Sequence, residues 1–176
     1  MPVLSKKKGS TYENKIAKEL GMWMFKDKNM LCRHLTSGAQ KSVYIGDIVP
    51  QKRLPDGFNS GIWTFVIECK NGYKNQIPNL NNQTIVRTWL KKLYQEMIDH
   101  PCNQKIIYLI ASFHGYSPLL FTDLKLNPEL VYPDLIINIK IISGEIIPFY
   151  IYKYKELLEL PFFKIYDNTE IINKLK

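Results

Sequence analysis

The sequence predicts an α/β fold in which helices flank a mixed β-sheet. Residues 62–69 and 105–111 are rich in β-branched and aromatic side chains, which is typical of buried strands. Residues 84–98, which lie between them, repeat apolar side chains with a helical period, and a helical crossover predicts that the two strands are parallel. The turn-rich segment at residues 51–61 instead predicts an antiparallel hairpin with an earlier strand.

The chain is expected to form one domain, because 45% of its 176 residues are hydrophobic and can bury a core. Three parts are distinguished: a basic arm at residues 1–9, a core at about residues 10–112, and a C-terminal extension at residues 113–176. No apolar run reaches the length of a membrane span, and no apolar signal segment follows the first lysines. We therefore expect a cytoplasmic protein without a membrane partner.

The net charge of +8 is concentrated in the first third of the chain. Residues 1–53 contain eleven Lys or Arg and four Asp or Glu, which leaves a balance of +7. Such a basic region is typical of a surface that binds nucleic acid, although an ordinary solvated lysine surface is the alternative. Phosphate contacts are expected from three residues of the arm, Lys6, Lys7 and Lys8.

The strand at residues 62–69 ends in a carboxylate and, two positions on, an ammonium group. Side chains alternate along a strand, so Glu68 and Lys70 project to one face and Cys69 to the other. Charges at the end of an apolar strand are costly to desolvate unless they meet partners or a metal ion. A surface ion pair would give the same pattern, so a functional interpretation depends on the residues that join this pair.

Asp47 is the first residue that can join it. Residues 43–49 are predicted to form a strand that ends at Pro50 and pairs with the strand carrying Glu68. A turn centred near Gly57–Phe58 then places Asp47 opposite Glu68, about 5 Å away on a shared face.

Asp56 is a rival to Asp47, because it also precedes Glu68 in the sequence. It lies at the predicted tip of the hairpin, which would be some 25–35 Å from Glu68 in a straight hairpin. Asp47 is therefore favoured, and a bulged loop would reopen the choice.

A helix from Ser10 to about Leu20 is predicted by a capping box, with Ser10 as N-cap and Glu13 three positions later. Glu13 also borders the inward-facing stripe of this helix, so its carboxylate could approach the sheet. The stripe consists of Tyr12, Ile16, Ala17 and Leu20. The capping role and the site role do not exclude each other.

The remaining predicted elements carry few candidate site residues. A short strand is favoured at residues 30–34 and polar loops at residues 36–41 and 71–82, the second of which carries Lys74. The last third is predicted to contain strands at residues 119–124, 135–142 and 146–152 and a short helix at residues 155–160.

A helix with Glu13, a strand with Asp47 and a strand with Glu68-x-Lys70 occur in the order of the PD-(D/E)xK nucleases, which the chain resembles. Within them it looks most like the archaeal and phage Holliday junction resolvases. The matching positions, which span about residues 8–110, are Gly9-Ser10, Glu13, Arg33, Ser37-Gly38, Asp47, Glu68 and Lys70. The separation between the aspartate and the glutamate is longer than usual, and so is the C-terminal third.

The resemblance implies a restriction-endonuclease-like fold and a metal-dependent endonuclease. It implies that Asp47 and Glu68, with the backbone carbonyl of Cys69, hold Mg²⁺, for which Mn²⁺ should substitute. Glu13 would reach the same or a second metal ion, and Lys70 would orient the attacking water or stabilise developing charge. Beyond the arm, the residues expected to contact DNA are Ser10, Arg33, Ser37, Lys41 and Lys74.

The leading hypothesis is a structure-selective endonuclease, a junction resolvase of a prokaryotic cell or phage-infected host, acting in recombination, repair or phage DNA processing. Two symmetric cuts in branched DNA favour a homodimer. Six aromatic residues could form its interface or, alternatively, close the core: Phe149, Tyr150, Tyr152, Tyr154, Phe162 and Phe163. The other hypotheses are a sequence-specific or repair nuclease of the same fold and a DNA-binding protein that has lost cleavage, against which the intact Asp47 and Glu-x-Lys argue.

Overall fold

The computed structural model describes residues 3–35, 43–55, 58, 61–73, 84–100 and 104–165, with the side chains of residues 3–8, 73 and 84 left out. In chain order its elements are α1 (Val3–Phe25), β1 (Leu31–Arg33), β2 (Ile48–Pro50), β3 (Phe65–Tyr73), α2 (Thr84–Asp99), β4 (Ile106–Phe113), β5 (Leu119–Thr122), β6 (Leu135–Lys140), β7 (Ile146–Lys153), α3 (Tyr154–Glu159) and α4 (Phe162–Ile165).

The described strands form one seven-stranded sheet in the order β1-β2-β3-β4-β5-β7-β6. The α2 crossover makes β3 and β4 parallel, and the other neighbouring strands pair antiparallel. Both predictions about pairing are therefore confirmed, and the mixed sheet with flanking helices is consistent with the expected restriction-endonuclease-like α/β fold.

The sheet separates two hydrophobic clusters, because successive side chains of a strand alternate between its faces. The α1 face buries Ile16, Leu20, Phe65, Ile67 and Cys69, and the α2 face buries Val66, Val86, Leu90 and Leu109. Each fully buried aliphatic side chain contributes about 1.5–3 kcal/mol to folding. The alternation places Cys69 on the α1 face and Glu68 and Lys70 on the α2 face, as the sequence predicts.

The first helix begins at Val3, so the prediction that it starts at a capping box is wrong. Ser10 lies inside α1, where it is not an N-cap, and the basic arm predicted at residues 1–9 is part of this helix from Val3 onward. Lys and Leu favour helices, and a glycine such as Gly9 inside a helix costs only about 1 kcal/mol. The predicted inward stripe is confirmed, since Tyr12, Ile16, Ala17 and Leu20 are all buried.

The strand predicted at residues 43–49 is much shorter in the structure. β2 covers only Ile48–Pro50, with Pro50 as its last residue, paired with Leu31 of β1. Gly46 has a φ of +94°, and a Cβ there would lie 2.7 Å from the carbonyl oxygen of Ile67. The chain therefore leaves the sheet at Gly46, because only glycine tolerates both this conformation and this approach.

The third strand begins later and ends later than predicted. It starts at Phe65 and continues through the polar residues Asn71 and Gly72 to Tyr73. Its pairing with β4 is irregular between Asn71 and Tyr73, where Gly72 has a φ of +82°. The strand therefore continues, with this irregularity, into residues whose composition indicates a loop.

The last third of the chain is built mainly as expected, and a fourth helix, α4, was not predicted. The alternative reading of its aromatic residues is correct for four of them, since Phe149, Tyr152, Tyr154 and Phe162 are buried in the core. Phe163, by contrast, is 64% exposed. None of the helices in the described residues is both long and apolar enough to cross a membrane.

Candidate active site

Asp47 lies where the predicted hairpin register puts it. Ile48 of β2 pairs with Ile67 of β3, and this register, continued by one residue to Asp47 just before β2, puts Glu68 opposite Asp47. The N–H of Asp47 donates to the carbonyl oxygen of Ile67 at 2.7 Å, and its carboxylate accepts the N–H of Cys69 at 2.9 Å. The rival aspartate, Asp56, lies outside the described residues.

His34, which directly follows β1, holds the backbone around Asp47 from the other side. Its N–H donates to the carbonyl oxygen of Asp47 at 2.7 Å, and its Nδ1 lies 3.1 Å from the carbonyl oxygen of Gly46. Because a carbonyl oxygen only accepts, Nδ1 is the nitrogen that carries a proton in this contact. Sequence reasoning missed this role, and the only available signal was the position of His34 at the end of a short strand.

Glu68 and Lys70 share one face of β3 and form an ion pair. Their side chains are 22% and 24% exposed, so solvent screens the pair only in part. The Nζ atom of Lys70 also lies 5.9 Å from the centre of the Trp89 ring on α2, within the range of a cation–π contact. Sequence reasoning placed Trp89 in the apolar face of α2 and missed this contact with the lysine.

Glu13 and Arg33, two of the residues predicted for the site, form an ion pair with each other. The pair joins α1 to the end of β1, with the carboxylate 17% exposed and the guanidinium side chain 34% exposed. Across the described ranges, no three or more His, Cys, Asp and Glu side chains are grouped as a metal site. Glu13 therefore does not complete a cluster with Asp47 and Glu68 in this arrangement.

The ionised form of the Asp47 carboxylate is disfavoured by its surroundings when no cation is bound. Its pKa is raised from 3.8 to about 7, first by burial and next by the neighbouring charge of Glu68, while Glu13 adds a smaller effect in the same direction. The hydrogen bond from Cys69 and the charge of Lys70 act in the opposite direction. Burial also raises the pKa of the Cys69 thiol, so this side chain is a neutral core residue.

The donor set suits a hard divalent cation. Asp47 and Glu68 supply carboxylate oxygens, and a cation between them would offset the repulsion that raises the pKa of Asp47. The N–H and C=O of one strand residue point to the same edge, so the carbonyl of Cys69 lies on the edge where its N–H meets Asp47. These are the three ligands that the resemblance implies.

Several predicted DNA contacts fall on residues that cannot be placed. Ser37, Lys41 and Lys74 lie outside the described residues, and the side chains of Lys6, Lys7 and Lys8 are not described. Ser10 is half-buried on α1, and Arg33 is engaged with Glu13. The contacts of these residues with DNA stay predictions.

A mixed sheet with an aspartate opposite Glu-x-Lys on the next strand, and a glutamate on the first helix, defines a PD-(D/E)xK nuclease domain. The sequence matches the family described as "Phage putative PDDEXK endonuclease" over residues 4–127. This match spans more than half of the chain, and the chain belongs to this family. Neither curated proteins nor solved structures gave a match.

The family match contains the candidate site residues and ends just beyond β5. Strands β6 and β7 and helices α3 and α4 therefore lie outside the matched segment. Membership supports nuclease activity on DNA at a coarse level and leaves the substrate and the metal ion to be proposed.

Proposed function

We propose that the protein is a Mg²⁺-dependent endonuclease that cuts branched DNA, as a Holliday junction resolvase does, during recombination, repair or phage DNA processing. The observation that carries the proposal is the carboxylate of Asp47, held by the Cys69 N–H beside Glu68 and Lys70. A buried carboxylate with a raised pKa next to a second carboxylate is typical of a functional site.

Asp47, Glu68 and the carbonyl of Cys69 would hold Mg²⁺, or Mn²⁺ in its place. A cation bound there lowers the pKa of its water and polarises the phosphate. Lys70 projects from the same face as Glu68 and supplies a positive charge where negative charge develops during hydrolysis. Trp89 limits the directions that the Lys70 ammonium group can take.

Arg33 and the basic first third of the chain are proposed to bind the DNA backbone. The Arg33 side chain is one-third exposed, so its guanidinium can contact a phosphate while it remains beside Glu13. The balance of +7 in residues 1–53 gives the protein a long-range attraction for a polyanion.

The assembly proposed for this activity is a homodimer. Resolution of a four-way junction requires two cuts at symmetric positions, and a two-fold dimer presents two active sites with that symmetry. Paired cuts that appear together in one junction would support it. Sedimentation of the DNA-free protein at micromolar concentration measures the assembly directly, and a monomer that nicks only one strand would contradict it.

A cleavage assay on four-way junction, flap, duplex and single-stranded DNA tests the substrate and the metal ion together. We expect cleavage with Mg²⁺ or Mn²⁺, none with EDTA, and a preference for branched substrates over duplex. Glu68→Gln is the control for a contaminating nuclease, because this substitution removes one proposed ligand and keeps the shape of the side chain. Equal cleavage of all four substrates would reject structure selectivity and retain a general nuclease.

A further inference from the structure

A polar cavity of about 480 Å³ lies at the carboxyl ends of the parallel strands β3 and β4. Its lining includes Asn71 and Gly72 of β3, Ser112 of β4, and the turn that contains His114 and Tyr116. Carboxyl ends of neighbouring parallel strands are a common location for ligands in open α/β sheets. A volume in this range is sufficient for a ligand the size of a nucleotide.

The cavity adjoins the candidate active site without sharing its ionised residues. Lys70 pairs with Ala111 across β3 and β4, and the next pair, Asn71 with Ser112, lines the cavity. Asn71 follows Glu68 by three residues, which is about 10 Å along a strand. By strand alternation the Asn71 side chain projects to the face opposite Glu68 and Lys70, so the cavity adjoins the site along the strand and not across one face of the sheet.

The lining has the chemistry of a site for a polar, flat ring. It offers an amide, two hydroxyls, an imidazole and a phenol, and none of the described residues that line it is Asp, Glu, Lys or Arg. Amide, hydroxyl and imidazole groups hydrogen-bond to phosphate oxygens or base edges, and aromatic rings stack on bases. Neutral polar groups beside an exposed ring suit the edges and the face of a nucleobase.

Tyr116 is held on a defined turn with its side chain in solvent. Its N–H donates to the carbonyl oxygen of Phe113 at 3.2 Å, and Phe113 is buried in the core. The Tyr116 side chain is nevertheless 56% exposed at the rim of the cavity. An anchored turn that presents an exposed ring next to polar groups provides a stacking surface at low conformational cost.

We propose that this cavity binds one unpaired nucleotide of the DNA, with its base against the Tyr116 ring and its polar edges against Asn71, Ser112 and His114. This inference rests on the proposed function, and it names the feature of branched DNA that the protein recognises. A continuous duplex keeps its bases stacked and paired, so it has no nucleotide free to enter the cavity.

The test measures binding in EDTA, so that cleavage cannot occur. The probes are a duplex with one extrahelical 2-aminopurine and the same duplex with the 2-aminopurine paired. The variants are Tyr116→Ala and Tyr116→Phe, with Tyr132→Ala as a matched control, because Tyr132 is a 78% exposed tyrosine that does not line the cavity. All are surface substitutions, so folding should be preserved.

We expect Tyr116→Ala to weaken binding of the extrahelical probe about 5- to 100-fold, as for loss of one base–aromatic stack. Its effect on the paired probe should be no more than about twofold, since that probe loses no stack. Tyr116→Phe and Tyr132→Ala should bind both probes like the wild type. The wild type should also quench the extrahelical 2-aminopurine, and Tyr116→Ala should not.

An equal effect of Tyr116→Ala on both probes, or no effect, would overturn the inference. So would a loss of the same size in Tyr132→Ala. The two proposals can fail separately. If the wild type cleaves branched DNA but Tyr116→Ala still prefers the extrahelical probe, only the cavity proposal is rejected. If the wild type cleaves none of the substrates but Tyr116→Ala loses the preference for the extrahelical probe, only the nuclease proposal is rejected.

Discussion

Two aspartates in different halves of the sheet make the same bond. Asp47, just before β2, accepts the N–H of Cys69 in β3, and Asp123, just after β5, accepts the N–H of Ile107 in β4, both at 2.9 Å. Asp123 lies between the buried residues Thr122 and Leu124. The pKa of Asp47 is instead raised by burial and by the neighbouring charge of Glu68, so the same hydrogen bond holds carboxylates in two different electrostatic settings.

The halves that contain these aspartates also differ in construction. β1 and β2 have three residues each, whereas β4 and β7 have eight each, and every residue of β4 except Ser112 is buried. Between them, β3 has nine residues and contributes buried side chains to both hydrophobic clusters, so the short strands are confined to the edge of the sheet beside Asp47. Asp47 therefore lies beside short edge strands with an unfavourable electrostatic setting, whereas Asp123 bonds to the eight-residue strand β4.

The largest expected difference between Asp47 and Asp123 is in the loss of DNA cleavage on substitution. Asp47→Asn, Glu68→Gln and Lys70→Ala should each reduce cleavage by about 10²-fold or more, because each removes a charge needed for hydrolysis. DNA binding should persist, and it should tighten where a carboxylate is removed. Single-turnover cleavage and equilibrium binding measure the two effects.

Asp123→Asn is the control for this series, and it should cleave within about threefold of the wild type, since a distant amide preserves the acceptor. Full activity in Glu68→Gln would remove the site assignment. Activity in Asp47→Asn together with its loss in Asp56→Asn would show that the other aspartate serves the chemistry.

The second largest expected difference between Asp47 and Asp123 is in how folding stability depends on pH. Because the pKa of Asp47 is raised in the folded protein, its contribution to stability is fully present below pH 3.8 and is lost as the pH rises through about 7. In EDTA, Asp47→Asn should abolish this loss and be more stable than the wild type at pH 8, by ~2–4 kcal/mol. Urea unfolding at pH 5 and pH 8 measures it, and parallel pH profiles for the two proteins would contradict it.

Substitution of Asp123 by alanine should lower stability and leave cleavage unchanged, which is the opposite of the expectation for Asp47. Asp123→Ala leaves the N–H of Ile107 without the carboxylate that accepts it, which should cost about 1–3 kcal/mol of unfolding free energy. Cleavage per folded molecule should not change, because Asp123 bonds to β4 and is not one of the candidate site residues. A denaturation curve and an active-site titration test the two statements, and a loss of activity without a loss of stability would break the comparison.

The smallest expected effect on cleavage is that of Trp89 on α2, whose ring contacts the Lys70 ammonium group. Trp89→Leu removes the ring that faces the Lys70 ammonium group and should slow cleavage about 2- to 30-fold, as for loss of a cation–π contact. Trp89→Phe keeps an aromatic face and should recover most of the rate. A shift of the pH–rate profile in Trp89→Leu would distinguish positioning of the lysine from simple loss of packing, which should leave the profile in place.

The central geometry of the site could be predicted because it follows from strand rules. A fixed antiparallel register and one turn position are enough to bring Asp47 opposite Glu68, and side-chain alternation is enough to place Lys70 beside Glu68. The α2 crossover likewise required only the right helical period and length. These inferences needed no knowledge of distant contacts.

The features that the sequence did not reveal depend on tertiary contacts. The conformation of Gly46 follows from its approach to Ile67, and the roles of His34 and Trp89 follow from neighbours distant in the chain. The start of α1 was missed because Ser10 and Glu13 have the pattern of a cap, and local pattern does not show that a helix already continues through them. The pairing of Glu13 with Arg33 likewise required the packing of α1 on β1.

The bond between Asp47 and the N–H of Cys69 also makes that amide a reporter of the site. Most amides in the middle of a sheet are protected by a neighbouring strand, and they exchange with deuterium only when the strands separate. The acceptor of the Cys69 amide is instead the side chain of Asp47, which directly precedes the three-residue strand β2. We therefore expect its exchange rate to follow the release of the Asp47 carboxylate from β3, which one amide signal would measure without unfolding of the domain.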